Sequence, residues 1–213
     1  DIAQNSVEAN ASFVKVELVE TEEKIQNSFS TFEKAVKEEN VEHLIILSTL
    51  EVLEKYHEGL ICLSACLAGS VNQALLNGNN EKAEEIALWH KRVFGEDYYL
   101  EIQNNGLPEQ VMVNQRLIQL SRELDIPLVA TNDAHYLKRE DSYNHEILLC
   151  IQTAKKMTDE DRMRFETDEF YFKTEEEMLK LFSSVPKAVS NTQIIADKCN
   201  VSLEFGVTKL PHF

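Results

Sequence analysis

Leu128-Val-Ala-Thr-Asn-Asp-Ala-His135 is the stretch on which the reading of this chain turns. Ile126 to Ala130 is a short apolar run, as expected of a buried strand. The run breaks into Thr131, Asn132, Asp133, Ala134 and His135. In extended backbone, residues i and i+2 point to the same side. Asp133 and His135 therefore face one place at the carboxyl end of the strand, as a metal site or an acid–base pair requires. The competing reading of Asp-x-His by itself is a turn followed by a helix cap.

Working outward, apolar runs alternate with amphipathic stretches. His43-Leu-Ile-Ile-Leu-Ser48 and Gly59 to Ala65 read as buried strands, and Tyr98 to Gln103 as another. Between them, Val71–Leu76 reads as a helix, and Asn77-Gly-Asn-Asn80 is a turn signal. Glu81–Phe94 reads as an amphipathic helix stopped by Gly95, and Pro108 opens a further helix to Leu124. Arg139–Thr153 is a helix candidate. The alternation predicts parallel strands with helical crossovers, an α/β domain. Ligands in such folds gather at the carboxyl ends of strands. Cys66, Gln103-Asn104 and Asp133–His135 all follow predicted strands, whereas His43 lies at the start of its run.

The flanks differ. Phe13–Val19 is a strand candidate, and Glu20–Asn40 is a charged helix with Ile25, Phe29, Phe32 and Val36 as one stripe. After Ala154 the texture turns charged and aperiodic. Phe170-Tyr-Phe172 is a short strand candidate, and Thr174–Phe182 and Pro186–Lys198 are helix candidates. Three segments follow: an unplaced 1–40, a barrel-like 41–154 and a connecting 155–213.

The formal charge of −16 opposes a domain that grips phosphate backbones unaided. It suits a cation or a protein partner. No run approaches the roughly 20 apolar residues of a membrane span, and no signal peptide is visible. Cys62, Cys66, Cys150 and Cys199 form neither a zinc-ribbon pairing nor a secreted disulfide framework, so a reducing, cytoplasmic compartment is expected.

Several blocks carry a resemblance. They are Glu51–Gly69, Gly106-Leu-Pro-Glu-Gln110, Ile126–Tyr136, Asp161–Tyr171 and Cys199–Gly206. Together they resemble the PHP (polymerase and histidinol phosphatase) domain of bacterial replicative DNA polymerase III alpha subunits, over roughly residues 50–213. The resemblance implies a distorted parallel (βα) barrel of PHP type, incomplete or remodelled at the N-terminus, followed by a small helical α+β linker. It implies divalent metals at the strand tips. Cys66 is similar to the family's cysteine ligand, Asp133 and His135 to its closing pair, and His43 to a later histidine.

The chain departs from the pattern in lacking any His-x-His, and residues 1–40 do not resemble the family's opening. The four remaining donors suit one ion at most, zinc best, with Mn or Mg as alternatives. The resemblance also implies partners: the polymerase palm of the same subunit, the proofreading exonuclease subunit and other replisome proteins. DNA is met only through the full-length polymerase, and no membrane contact is expected. The chemistry expected of the parent is DNA replication by a DNA-directed DNA polymerase, a nucleotidyltransferase. The alternative is an independent metal-dependent phosphoesterase or 3′–5′ exonuclease of the same superfamily.

Overall fold

A computed structural model describes residues 50–202, 205 and 206. The predicted elements on residues 13–48, His43 among them, lie outside the described residues. The described residues divide between two compact units. Residues 50–60 belong to one; 50–56 are helical and end in a turn, in which the Leu60 amide donates to His57 O at 2.9 Å. Residues 61–199 belong to the other, which carries the candidate site.

That second unit is built on three parallel strands in the order β1-β2-β3. They are β1 (Cys62–Leu63), β2 (Tyr98–Ile102) and β3 (Leu128–Ala130). Six helices accompany them: α1 (Ser70–Leu76), α2 (Asn80–Phe94), α3 (Pro108–Leu124), α4 (Ser142–Gln152), α5 (Glu175–Leu181) and α6 (Pro186–Lys198). The α/β alternation is as expected; the described strands form an open parallel sheet, not a closed barrel.

Local chemistry sets the ends of the elements. Asn79 caps α2 by accepting from the Lys82 amide at 3.0 Å, and Gly95 ends it at φ +58. Lys91 on α2 donates to the last carbonyls of α3, Leu124 O at 2.6 Å and Asp125 O at 3.0 Å. A cation there satisfies orphan carbonyls and complements the negative end of the helix. Thr174 and Glu177 form the capping box expected at α5. Asn191 of α6 donates to Leu128 O at 2.7 Å, fastening that helix to β3.

Two elements differ from expectation. The predicted helix over 139–153 begins as a 3-10 turn, Arg139–Asp141, because Asp141 turns back to accept from the Lys138 amide at 3.1 Å. Phe170–Phe172 is not a strand but a single parallel bridge, Tyr136 to Tyr171.

β2 is the centre of the core, buried along its whole length. Among the described residues, no helix is long and apolar enough to cross a membrane.

Candidate functional site

The loops leaving the three strands meet around one side chain, Glu101. It is the sole charge in the apolar strand Tyr98–Ile102 and is only 9% exposed. On one side it accepts from Thr131 Oγ1 at 2.5 Å, in the loop after β3. On the other it accepts from the Ala65 backbone amide, in the loop after β1. Gln103 Nε2 donates to both Glu101 Oε1, at 3.3 Å, and Thr131 Oγ1, at 3.1 Å. The Glu101 amide itself donates to Ser64 Oγ at 2.8 Å. One buried carboxyl thus ties two loops to the central strand.

The loop that carries Cys66 is held tightly. Asn72, buried on α1, donates to Ala65 O at 3.1 Å and Cys66 O at 2.8 Å. Ala65 takes a left-handed φ of +65, uncommon for a residue with a Cβ. Gly69 closes the loop; a Cβ there would lie 2.2 Å from Ser64 O, so only glycine allows this close backbone approach. Cys66 itself is exposed.

After β3, Asp133 at φ +48 turns its carboxylate to His135, with Oδ1 3.1 Å from Nε2. The His135 ring packs edge-on against Phe165, Phe170 and His145, with centroids at 4.8, 5.6 and 5.7 Å. Its amide donates to Phe170 O at 2.7 Å. Burial, then the neighbouring His135, push the His145 imidazole below its ordinary value.

Burial pushes the Glu101 carboxyl above the ordinary carboxylate range. Nearby Asp133 adds to this, while the donated hydrogen bonds pull back. Burial, then the Glu101 charge, push the Cys62 thiol up to about 12, so it stays protonated near neutral pH. The sign for Glu101 follows from linkage. Its native form holds a proton that the unfolded chain has lost, so it lowers stability as pH rises from 4.5 through the raised value. Glu101→Gln is expected to remove this fall. Denaturant titrations from pH 4 to pH 8 check it: the difference in stability between the two proteins shifts toward the variant with rising pH, then levels off.

Residues 3–105 match the PHP domain model. The DNA polymerase III subunit alpha of Borreliella burgdorferi is 50% identical over 156 residues, covering 73% of this chain and 13% of the relative. That of Campylobacter jejuni is 45% identical over 173 residues, and that of Thermus aquaticus 40% over 169; each alignment covers 76% of this chain and 14% of the relative. This chain is a relative of the PHP-domain region of DNA polymerase III alpha subunits. It spans about one-seventh of the length of those subunits. The PHP match begins at residue 3, so most of residues 1–40, unplaced from sequence because they do not resemble the family's opening, falls inside it.

A PHP relationship implies divalent metal, and the donors among the described residues fall short of a site for it. No group of three or more His, Cys, Asp or Glu side chains able to hold an ion occurs among the described residues. Asp133 and His135 are together as expected. Cys66, in the loop after β1, makes no three-donor group with them. His43 lies outside the described residues. Sequence reading missed Glu101, Thr131 and His145. The available signal for Glu101 was a lone carboxylate in a buried strand of a PHP-like chain; Thr131 and His145 carried none.

Proposed function

We propose that this chain is the PHP-domain portion of a replicative DNA polymerase III alpha subunit and serves there as a structural and docking module. The observation that supports it most is the mutual engagement of the strand-tip side chains. Glu101 is bonded to Thr131, Gln103 and Ala65, and Asp133 lies against His135. Metal-assisted hydrolysis needs an ion held by several ligands with a position left open. A carboxyl already answered by Thr131, Gln103 and Ala65 braces loops instead.

On this reading residues 41–154 are the barrel portion, with 1–40 ahead of it and 155–213 leading toward the palm. The partners are the palm of the same subunit, the proofreading exonuclease subunit and other replisome proteins in the cytoplasm. DNA synthesis belongs to the whole subunit, and the charge of −16 suits a module that meets DNA only through it. Any resident ion is single and of zinc type; Asp133 and His135 lie together, and Cys66 and His43 are the further donors that the family likeness implies.

The second reading, a PHP phosphoesterase or 3′–5′ exonuclease, is favoured by the PHP match itself. Metal analysis of the purified protein, with hydrolysis of a simple phosphodiester, separates the two. The expected result is no turnover above background, with or without added Zn, Mn or Mg. Stoichiometric metal with turnover abolished by a chelator overturns the docking reading.

A further inference from the structure

The loop leaving β3, the first turns of α4 and the segment that follows α4 enclose a cavity of about 270 Å³. Four of its wall residues are rings: Tyr136 from the β3 loop, Tyr143 and His145 from α4, and Phe165 from the segment after it. The His145 ring centroid lies 5.4 Å from that of Tyr136 and 4.9 Å from that of Phe165. These pairs are tilted by 48° and 55°, so the rings do not stack on one another. The face of an aromatic ring is the negative side of its quadrupole and attracts cations.

The acidic side chains of the wall are Glu146 and Asp168, and no lysine or arginine belongs to it. Each carboxylate spends one oxygen on an arginine: Glu146 Oε1 on Arg162 at 2.5 Å, and Asp168 Oδ1 on Arg139 at 2.9 Å. The other oxygen of each has no hydrogen-bond partner among the described residues. The two arginines are engaged elsewhere as well: Arg162 donates to Met157 O at 3.1 Å, and Arg139 lies 4.8 Å from the Tyr171 ring. The cavity therefore presents rings and carboxylates without a basic side chain of its own.

A guanidinium answers both features at once, since it stacks flat on rings and forks to carboxylates. An ammonium answers the charge but not the flat shape. An apolar side chain would take water from the free carboxylate oxygens and give nothing back.

We propose that this cavity seats an arginine side chain of a protein partner, its guanidinium against the rings and the free oxygens of Glu146 and Asp168. The proposal rests on the docking reading above and names the chemistry of what docks. The charge of −16 favours the approach of a basic segment over that of another acidic surface.

Titration of the full chain with a blocked Gly-Arg-Gly peptide, followed by NMR, tests the proposal. Matched peptides carry lysine, norleucine or citrulline, the neutral isostere of arginine, in place of the arginine. The expected result is that the arginine peptide shifts the signals of Tyr143, His145 and Phe165 and leaves those of β2 in place. Citrulline is expected to bind about tenfold more weakly, because it loses the cation–π attraction and the charge-assisted hydrogen bonds. Tyr143→Leu and Asp168→Asn are each expected to weaken the arginine peptide about fivefold. Tyr143 is 62% exposed, and Arg139 keeps Glu169 when Asp168 is neutralised, so both variants retain the fold. Citrulline or norleucine binding as tightly as arginine makes the cavity a neutral socket and overturns the proposal. So does lysine binding as tightly, or arginine binding that neither variant weakens, since either marks the diffuse pull of net charge. Absence of any shift at the three rings overturns it outright. The docking reading is decided separately, by metal content and phosphodiester turnover, so either can fail while the other stands.

Discussion

Asn105→Ala is expected to cost about 4 kcal/mol of stability, from unmet hydrogen bonds at roughly 1–3 kcal/mol each. Asn105 is fully buried between β2 and α3. Its Nδ2 donates to Asn132 O at 3.1 Å and to Glu169 O at 3.2 Å. Its Oδ1 accepts from Gln110 Nε2 at 3.1 Å, and its own amide donates to Gln110 Oε1 at 2.7 Å. Its carbonyl accepts from Thr167 Oγ1 at 2.5 Å. One side chain therefore joins the β2 loop, the first turn of α3, the loop carrying Asp133, and the segment at 167–169. Alanine strands the Asn132 carbonyl and the Gln110 side-chain amide where water does not easily follow, while Glu169 O keeps the Lys173 ammonium. Urea unfolding checks the cost; a loss below about 1 kcal/mol would mean that the site rehydrates, since surface-like positions lose that little. A second readout is local: amides at 131–135 and 167–170 are expected to exchange faster under native conditions, while those of α2 hold. The consequence for function is direct, because Asn105 helps to hold the Asp133–His135 loop against the tail segment that supplies Phe165 and Phe170.

Much of this arrangement is legible in the sequence where a single periodicity or cap decides it. α2 and α3 carry amphipathic patterns with an Asn–Gly turn, a stop glycine and an opening proline, and the structure places them accordingly. β2 and β3 are apolar runs with turn residues at each end, and Asp133 and His135 meet because alternation along an extended segment is a local rule. What local rules omit is lateral order. The strands β1, β2 and β3 each end in polar residues, which invites the idea of one shared site. Yet β2 sits between the other two, and that position is fixed by long-range pairing, Cys62 with Tyr98 and Leu100 with Leu128. Cys66 thus follows β1 and Asp133 follows β3, with one strand between them in the sheet.

Glu101 illustrates the other blind spot. A carboxylate in a buried strand breaks the pattern without saying what answers it, and its partners, Thr131 and Ala65, lie 30 or more residues away in sequence. The tail segment is a third case. Phe170–Phe172 has strand composition, but the Tyr136 segment offers it a single pairing position. The contact is reinforced by side chains instead: Arg139 donates to Asp168, Glu169 and the Tyr171 hydroxyl, and lies 4.8 Å from the Tyr171 ring.

Leu100→Ala is expected to lose about 3–4 kcal/mol, the range for emptying a fully buried leucine site. Tyr98, Leu100 and Ile102 are wholly buried and share one face of β2, while Glu101 and Gln103 point to the other. The Leu100 amide donates to Pro127 O at 2.9 Å, which the substitution leaves in place, so register with β3 is kept. The cavity then loosens the packing face of the strand without touching the face that carries the hydrogen-bonded carboxyl. Stability measured against pH distinguishes the two faces. The Leu100→Ala curve should run parallel to that of the unchanged protein, displaced downward at every pH, because the protonation of Glu101 is set across the strand. The Glu101→Gln curve should diverge from it as pH rises. If Leu100→Ala instead alters the slope, the Glu101 network is held by core packing rather than by its own bonds to Thr131, Gln103 and Ala65, and the brace at the strand tips is a passenger of the core.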